Sequence, residues 1–397
     1  MDLRQKLLQQ AATHYDDVVG IWHHIHRFPE LSYEESSTSA YIQEQLRSLG
    51  IPFKAGFAKN GIVGTLVGRN PGRFTIALRA EMDALPISER NEIPFRSENP
   101  GKMHACGHDM HMAALLGTAM ILQALKAEFE GTVLFVFQPA EEKLPGGAGL
   151  MIKEGAFEGC TPHLIIGQHV LPGLKTGTVG YKPGVYMASS DEIYITVKGK
   201  GGHGAVPHQL VDTVLIAAHI IVALQQIVSR NANAAIPTVL SFGKVDAPGA
   251  TNVIPAEVNI EGTFRTMNES WRKEAHAKIT RMASLTAEGM GGSCEVKIKH
   301  GYPVLENHVQ FTQKAIQYSR QLLGDDKVLD MDLRMTSDDF AYFSQHFPAI
   351  FYRFGTTDYA EKFISPVHSA TFMADEKALQ TAMSNLAWLT VSFLNEK

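Results

Sequence analysis

Four side chains of metal-binding or nucleophilic type, His104, Cys106, His108 and His111, crowd the stretch MHACGHDMHMAALLG (103–117), just ahead of an apolar helical run. Imidazole nitrogens and a thiolate suit a borderline-soft divalent cation such as zinc, manganese, cobalt or nickel. A thiol beside imidazoles can instead be a nucleophile, here with His104 or His108 as its base. A third use is a closed structural zinc site in a protein that only binds.

More residues of the same kind stand at strand ends, where open α/β sheets form their ligand sites. FTIALR (74–79) runs into Glu81 and Asp83, TVLFVFQ (132–138) into Glu141 and Glu142, and HLIIG (163–167) into His169. AIFYRF (349–354) leads through a loop to His368. Singly, each has a plain explanation as a solvated charge or a core histidine. Together they favour a metal site, with one of the paired glutamates as ligand and the other as general base beside an activated water. Asp109, next to His108, is a candidate for orienting a ligand histidine. His111, one turn beyond His108, is read as lining the helix face. His23, His24 and His26, ahead of RFPELSYEE, are read as structural.

The elements that must position these residues follow an α/β rhythm. Helical spacing covers 3–26, 33–48 and 110–126, and strands are predicted at 62–67, 74–79, 132–138 and 163–167. From about Met187 the order changes to βαββαβ: strand 191–199, helix 210–229, strands 237–245 and 256–266, helix 270–288 and strand 294–300. That is the split pattern of a ferredoxin-like module. Helices near 307–323 and 374–394 and the strand 349–354 then resume the first rhythm. The expected division is a first domain in two pieces, 1–186 and 301–397, with an inserted domain over 187–300.

The 397 residues are 45% hydrophobic and 19% charged, which marks a folded globular protein. A net charge of −5 offers no basic surface for nucleic acid and no polybasic membrane signal. The three cysteines are far apart and odd in number, so a reducing cytoplasm is expected and a disulfide framework is not. MDLRQKLLQQAATHYDD has no signal-peptide pattern. VLIAAHIIVALQQIV (214–228) reads as too short and too polar to span a bilayer.

The motifs RAEMDALPI, MHACGHD, FQPAEE, GGHGAVPH, NVIPAEVNIEGTFR and SDDF occur in that order across nearly the whole chain. They resemble the aminoacylase/carboxypeptidase-type di-metal amidohydrolases, and within them the subgroup of hippurate hydrolases, N-acyl-amino-acid hydrolases and auxin-conjugate hydrolases. The resemblance implies an α/β, phosphorylase/hydrolase-like catalytic domain with an inserted ferredoxin-like α+β lid, through which the chain forms a homodimer or homotetramer. It implies two divalent metal ions (Zn, Mn, Co or Ni) bridged by Cys106. Glu142 and His368 would complete one site, and His108 and His169 the other. Glu141 would be the general base, and Asp83 would orient a metal-site residue. His203 would reach the partner's active site and stabilise the oxyanion, while Asn252 and Arg265 would hold the substrate carboxylate and carbonyl. The implied substrate is a small N-acyl amino acid with an acetyl, benzoyl or related acyl group, split into a carboxylic acid and a free amino acid. Three departures sit near the pocket. Glu81-Met82-Asp83 replaces a His-x-Asp pair of the wider family, and Asp is usual at position 81 in the subgroup. TSDDF (336–340) replaces a Ser-Glu-Asp-Phe motif, and VHSATF (367–372) lacks a proline.

Overall fold

The structure, a computed structural model, describes residues 1–358 and 365–396. Helix α1 (Leu3–Thr13) opens on a capping box, in which the Asp2 side chain accepts Gln5 N at 2.8 Å and the Gln5 side chain accepts Asp2 N at 3.2 Å. The helical spacing over 3–26 is shared between α1 and α2 (Tyr15–Arg27), which break at His14. Next come α3 (Ser36–Ser48), β1 (Phe53–Phe57), β2 (Gly61–Val67), β3 (Thr75–Glu81), α4 (His108–Ala124), β4 (Thr132–Gln138), β5 (Leu164–Lys175) and β6 (Val179–Tyr181). The inserted stretch carries β7 (Asp191–Lys198), β8 (Gly202–His203), α5 (Thr213–Gln226), β9 (Thr238–Asp246), β10 (Val253–Ile254), β11 (Glu257–Thr266), α6 (Glu269–Gly289) and β12 (Ser293–His300). The chain then returns through α7 (Val309–Leu323), β13 (Val328–Asp330), β14 (Ala349–Thr357) and α8 (Ala378–Leu394).

Two compact units result. One comprises Met1–Gly184, Glu306–Asp332 and the chain from Tyr342 on; the other comprises Val185–Leu305 and Leu333–Ala341. The second unit therefore holds Leu333–Ala341 in addition to the continuous insertion expected from the sequence.

The first unit is built on an eight-stranded sheet of order β1-β2-β4-β3-β5-β14-β6-β13. Its centre, β4-β3-β5-β14, is parallel, and β1-β2, β2-β4 and β14-β6 are antiparallel. β3 and β4 are buried at every position, which is why they read as unbroken runs without alternation. Helix α4 is buried from His108 to Leu122 and packs on α2, α8 and β3. Gly117 permits that approach: a Cβ there would stand 2.8 Å from both Met383 Sδ and Val18 Cγ2.

The second unit has the strand order β9-β11-β7-β12, all antiparallel, with α5 and α6 packed on it, so it has the expected βαββαβ topology. Ile193, Ile195 and Val197 of β7 meet Ile216 and Ile220 of α5 and Ile279 of α6 in its core. Asp191 ties the start of β7 to α6. Its carboxylate accepts Arg272 Nε and Nη2 at 2.8 and 2.6 Å, lies 2.8 Å from His276 Nε2, and accepts Gly301 N at 3.1 Å. Helix α5 starts on the Asp212 cap and runs on through a π-helical turn. The continuous helix covers Thr213–Asn231, 19 residues, long and apolar enough by length and composition to cross a membrane. The helix is longer than the stretch 214–228 read from the sequence. The apolarity is divided: Ile216, Ile220 and Leu224 face the unit's core, and Val214, Leu215 and Val222 are exposed.

Candidate metal centre

The site grows from the carboxyl ends of β3 and β4 and from the middle of β5. Past β3, the buried Asp83 carboxylate accepts Glu141 N at 3.0 Å, Glu142 N at 2.9 Å and Ser32 Oγ at 2.6 Å. Glu35, also buried, accepts Ala140 N at 2.8 Å. Three successive amides beyond β4 are thus each held by a buried carboxylate. Ala140 takes a left-handed backbone (φ 54°), uncommon for a residue with a Cβ. This clasp is what lets both glutamates face inward: one ligand atom each of His108, Glu141 and Glu142 lie within 4.8 Å of one another.

The loop carrying Cys106 enters α4 at Gly107, whose backbone is left-handed (φ 78°) and whose absent Cβ would stand 2.7 Å from Val170 Cγ2. His108 Nδ1 lies 2.8 Å from the Asp83 carbonyl, which can only accept, so Nδ1 carries a proton. His108 Nε2 is buried without a hydrogen-bond partner among the described residues, 3.9 Å from Glu141 Oε2. In the same way His169 donates from Nδ1 to Val170 O at 2.8 Å and turns Nε2 to Cys106 Sγ at 3.5 Å. His169 lies inside β5, which runs on along β14 after its pairing with β3 ends at Gly167. His368, again left-handed (φ 61°), hooks its amide onto Ala105 O at 2.7 Å and sets Nε2 3.1 Å from Glu142 Oε1. Non-glycine residues in this backbone region concentrate at functional sites. Two triads result, Cys106/His108/His169 and Cys106/Glu142/His368, each with its ligand atoms within 4.8 Å of one another and Cys106 common to both.

Burial and the Glu142, Glu141 and Glu81 carboxylates push the Cys106 thiol well above its usual range. Burial, with Arg353 and His111, pushes His169 well below its own, so that its ring is neutral. Burial opposes charge on His108, but Asp83, Glu81 and Glu142 outweigh it and raise the ring to about 10. A neutral imidazole, a thiol and carboxylates thus converge where divalent cations would relieve the repulsion, and the donor set fits such ions. The same surroundings are the reverse of a nucleophilic cysteine's, which needs an electropositive setting. His104, the other candidate base, is fully buried with neither ring nitrogen hydrogen-bonded among the described residues, and burial lowers it to about 4.

Asp109 needs a correction. Its carboxylate bonds none of His108, His169 and His368; it accepts Trp22 Nε1 at 2.8 Å and meets His26 Nδ1 at 2.6 Å, anchoring the start of α4 to α2. His108 Nδ1 is held instead by the Asp83 carbonyl. His26 also meets Glu89, Nε2 to Oε1 at 3.0 Å, so it is the centre of a buried ionic set. His111 is equally engaged, between Glu81 and Val170 N. Arg79 and Glu81 carried a readable signal, two charges on one face of an otherwise apolar buried strand; Glu35 carried none. The remaining candidates lie in the second unit. β8 pairs with β10 through Val253↔His203, and Gly204 N donates to Asn252 O at 2.8 Å, so His203 and Asn252 share one short ladder. Arg265 donates from Nη1 to Met335 O at 3.2 Å and to Ser337 Oγ at 3.4 Å.

Residues 77–388 match the peptidase family M20/M25/M40. The chain belongs to this family. It is 42% identical over 304 residues to an N-acyl-L-amino acid amidohydrolase of Geobacillus stearothermophilus, covering 77% of this chain and 80% of that one. It is 35% identical over 399 residues to thermostable carboxypeptidase 2 of Saccharolobus solfataricus, covering 100% of both. A crystal structure of a Bacillus subtilis dinuclear metal binding peptidase from the M20 family superposes with a TM-score of 0.83 at 33% identity, over 96% of this chain and 99% of that one. The protein is a metal-dependent hydrolase with the family's mixed α/β fold.

Proposed function

We propose that the protein hydrolyses the amide bond of N-acyl amino acids, with two divalent cations of the zinc, manganese, cobalt or nickel class held by the two triads that share Cys106. The observation that carries this reading is the pairing of those triads with a further carboxylate, Glu141, beside them. The bound cations would supply Lewis acidity, lowering the pKa of water and polarising the scissile carbonyl. Glu141 takes the proton from the attacking water and delivers it to the leaving amine. Asp83 holds the Glu141 and Glu142 amides and the His108 ring, which keeps base and ligands in register. His203, from the inserted unit of a second copy of the chain, donates to the oxyanion. Its Nδ1 accepts Ala205 N at 3.1 Å, so the ring's other nitrogen is the one left to donate. Arg265 and Asn252 bind the substrate carboxylate and carbonyl, a task that suits the planar guanidinium fork. The exposed Val214, Leu215 and Val222 on α5 support a homodimer or homotetramer formed through this unit. The free thiols of all three cysteines support a cytoplasmic setting.

The test is a panel of N-acetyl, N-benzoyl and related amino acids, scored by released amine on metal-stripped protein before and after manganese, zinc or cobalt is returned. Activity should depend on the added ion. Glu141→Gln should keep the metal content and lose roughly 10²-fold or more in turnover. Activity without metal, or near-native turnover in Glu141→Gln, contradicts the reading.

A further inference from the structure

Beneath the two triads lies a set of buried charges that the proposed chemistry does not use. Glu81 sits between Arg79 and His111: Arg79 Nη1 donates to one carboxylate oxygen, and the other lies 2.9 Å from His111 Nδ1. Arg79 Nε donates to Gln138 Oε1 at 2.8 Å. On the far side of the imidazole, Val170 N donates to His111 Nε2 at 2.9 Å. A backbone amide only donates, so Nε2 carries no proton, and Nδ1 carries one and gives it to Glu81. Both nitrogens are engaged. His111 therefore has no lone pair to offer a cation, although its ring lies within 4.8 Å of donor atoms of Glu81 and His108.

The amide held by His111 belongs to the peptide joining His169 to Val170, and the Val170 carbonyl accepts His169 Nδ1 at 2.8 Å. The pairing of β5 with β3 ends at Arg79↔Gly167, so Val170 lies beyond it, and His111 takes the place of a ladder partner. We infer that Arg79, Glu81 and His111 are positioning residues for His169. Arg79 fixes the Glu81 carboxylate, Glu81 fixes the His111 tautomer, and His111 fixes the amide of Val170, the residue whose carbonyl aims the His169 ring. The inference rests on the reading of His169 as a metal ligand. It confines the effect to the Cys106/His108/His169 triad.

Two substitutions separate this role from mere packing. In His111→Gln the amide oxygen falls near the Nε2 position and still accepts Val170 N. In His111→Asn the amide falls near Nδ1, keeping the bond to Glu81 and losing the acceptor. Metal-stripped full-length protein is titrated with Co²⁺ and followed by absorption and by bound cobalt per chain. The native protein and His111→Gln should take up two ions alike. His111→Asn should hold one ion normally and the second about 10–100-fold more weakly. In a His169→Ala background, which lacks that second ion, His111→Asn should change nothing further. Equal binding by the Asn and Gln variants, or equal weakening of both ions, overturns the inference. A native protein that takes fewer than two ions overturns the metal reading and the inference with it. The ¹⁵N shifts of His111 test the chain independently of metal, and also if His111→Asn does not fold. They should report the Nδ1-protonated neutral ring in stripped and loaded protein, and an Nε2-protonated ring contradicts the inference.

Discussion

His26 should be a charged histidine at neutral pH, and its charge should support the fold. The ring is buried with a carboxylate against each nitrogen, Asp109 at 2.6 Å and Glu89 at 3.0 Å. Only the doubly protonated ring donates to both. Burial opposes that charge, but the bonds to Asp109 and Glu89 prevail and raise the ring to about 9, against an ordinary value near 6.5. Because the folded value is the higher one, the stabilisation is fully present below about pH 6.5 and is lost as pH rises through about 9. The displacement corresponds to about 3 kcal/mol. The perturbation is His26→Gln, which leaves a buried carboxylate without its cation. Denaturation of metal-stripped native and variant protein at pH 6 and pH 9.5, with the His26 ring titrated by NMR, gives both quantities. The native advantage should be largest at pH 6 and shrink by about 3 kcal/mol at pH 9.5. A ring that titrates at or below 6.5, or an advantage equal at the two pH values, refutes the reasoning.

Gly107→Ala places a Cβ on a left-handed residue 2.7 Å from Val170 Cγ2. Backbone strain and overlap together should cost on the order of 2–4 kcal/mol, read as a lowered thermal midpoint of the stripped protein. Asp191 is driven by burial toward neutrality but held down by Arg272 and His276, to about 2. Its contribution is therefore present above pH 3.8 and lost as pH falls through about 2. Asp191→Asn should cost about 2 kcal/mol at neutral pH, seen as faster amide exchange in β7 and α6 with β3 and β4 unaffected.

The sequence made the site legible where chemistry coincides with periodicity. Glu141 and Glu142 follow an apolar run whose burial forbids alternation, so their strand end could be located, whereas His169, expected past a strand end at 167, lies inside β5, which runs on to Lys175. The βαββαβ module was readable because β7 alternates, with Ile193, Ile195 and Val197 inward. What stayed hidden depends on contacts distant in the chain. Glu35 and Asp83 grip successive amides of 140–142 from segments far upstream, and no local pattern announces that. Asp109 sits beside His108 in sequence, yet on α4 its side chain turns toward α2, because consecutive helical residues do not share a face. The assignment of 333–341 to the inserted unit likewise depends on tertiary contacts, not on spacing.

The central claim is that one thiolate, Cys106, is common to two metal sites. An anomalous difference map from crystals of zinc-loaded protein tests it directly. The account predicts two peaks per chain, each about 2.3 Å from Cys106 Sγ, one completed by His108 and His169 and the other by Glu142 and His368. A single peak, or two of which only one touches Cys106, would contradict it.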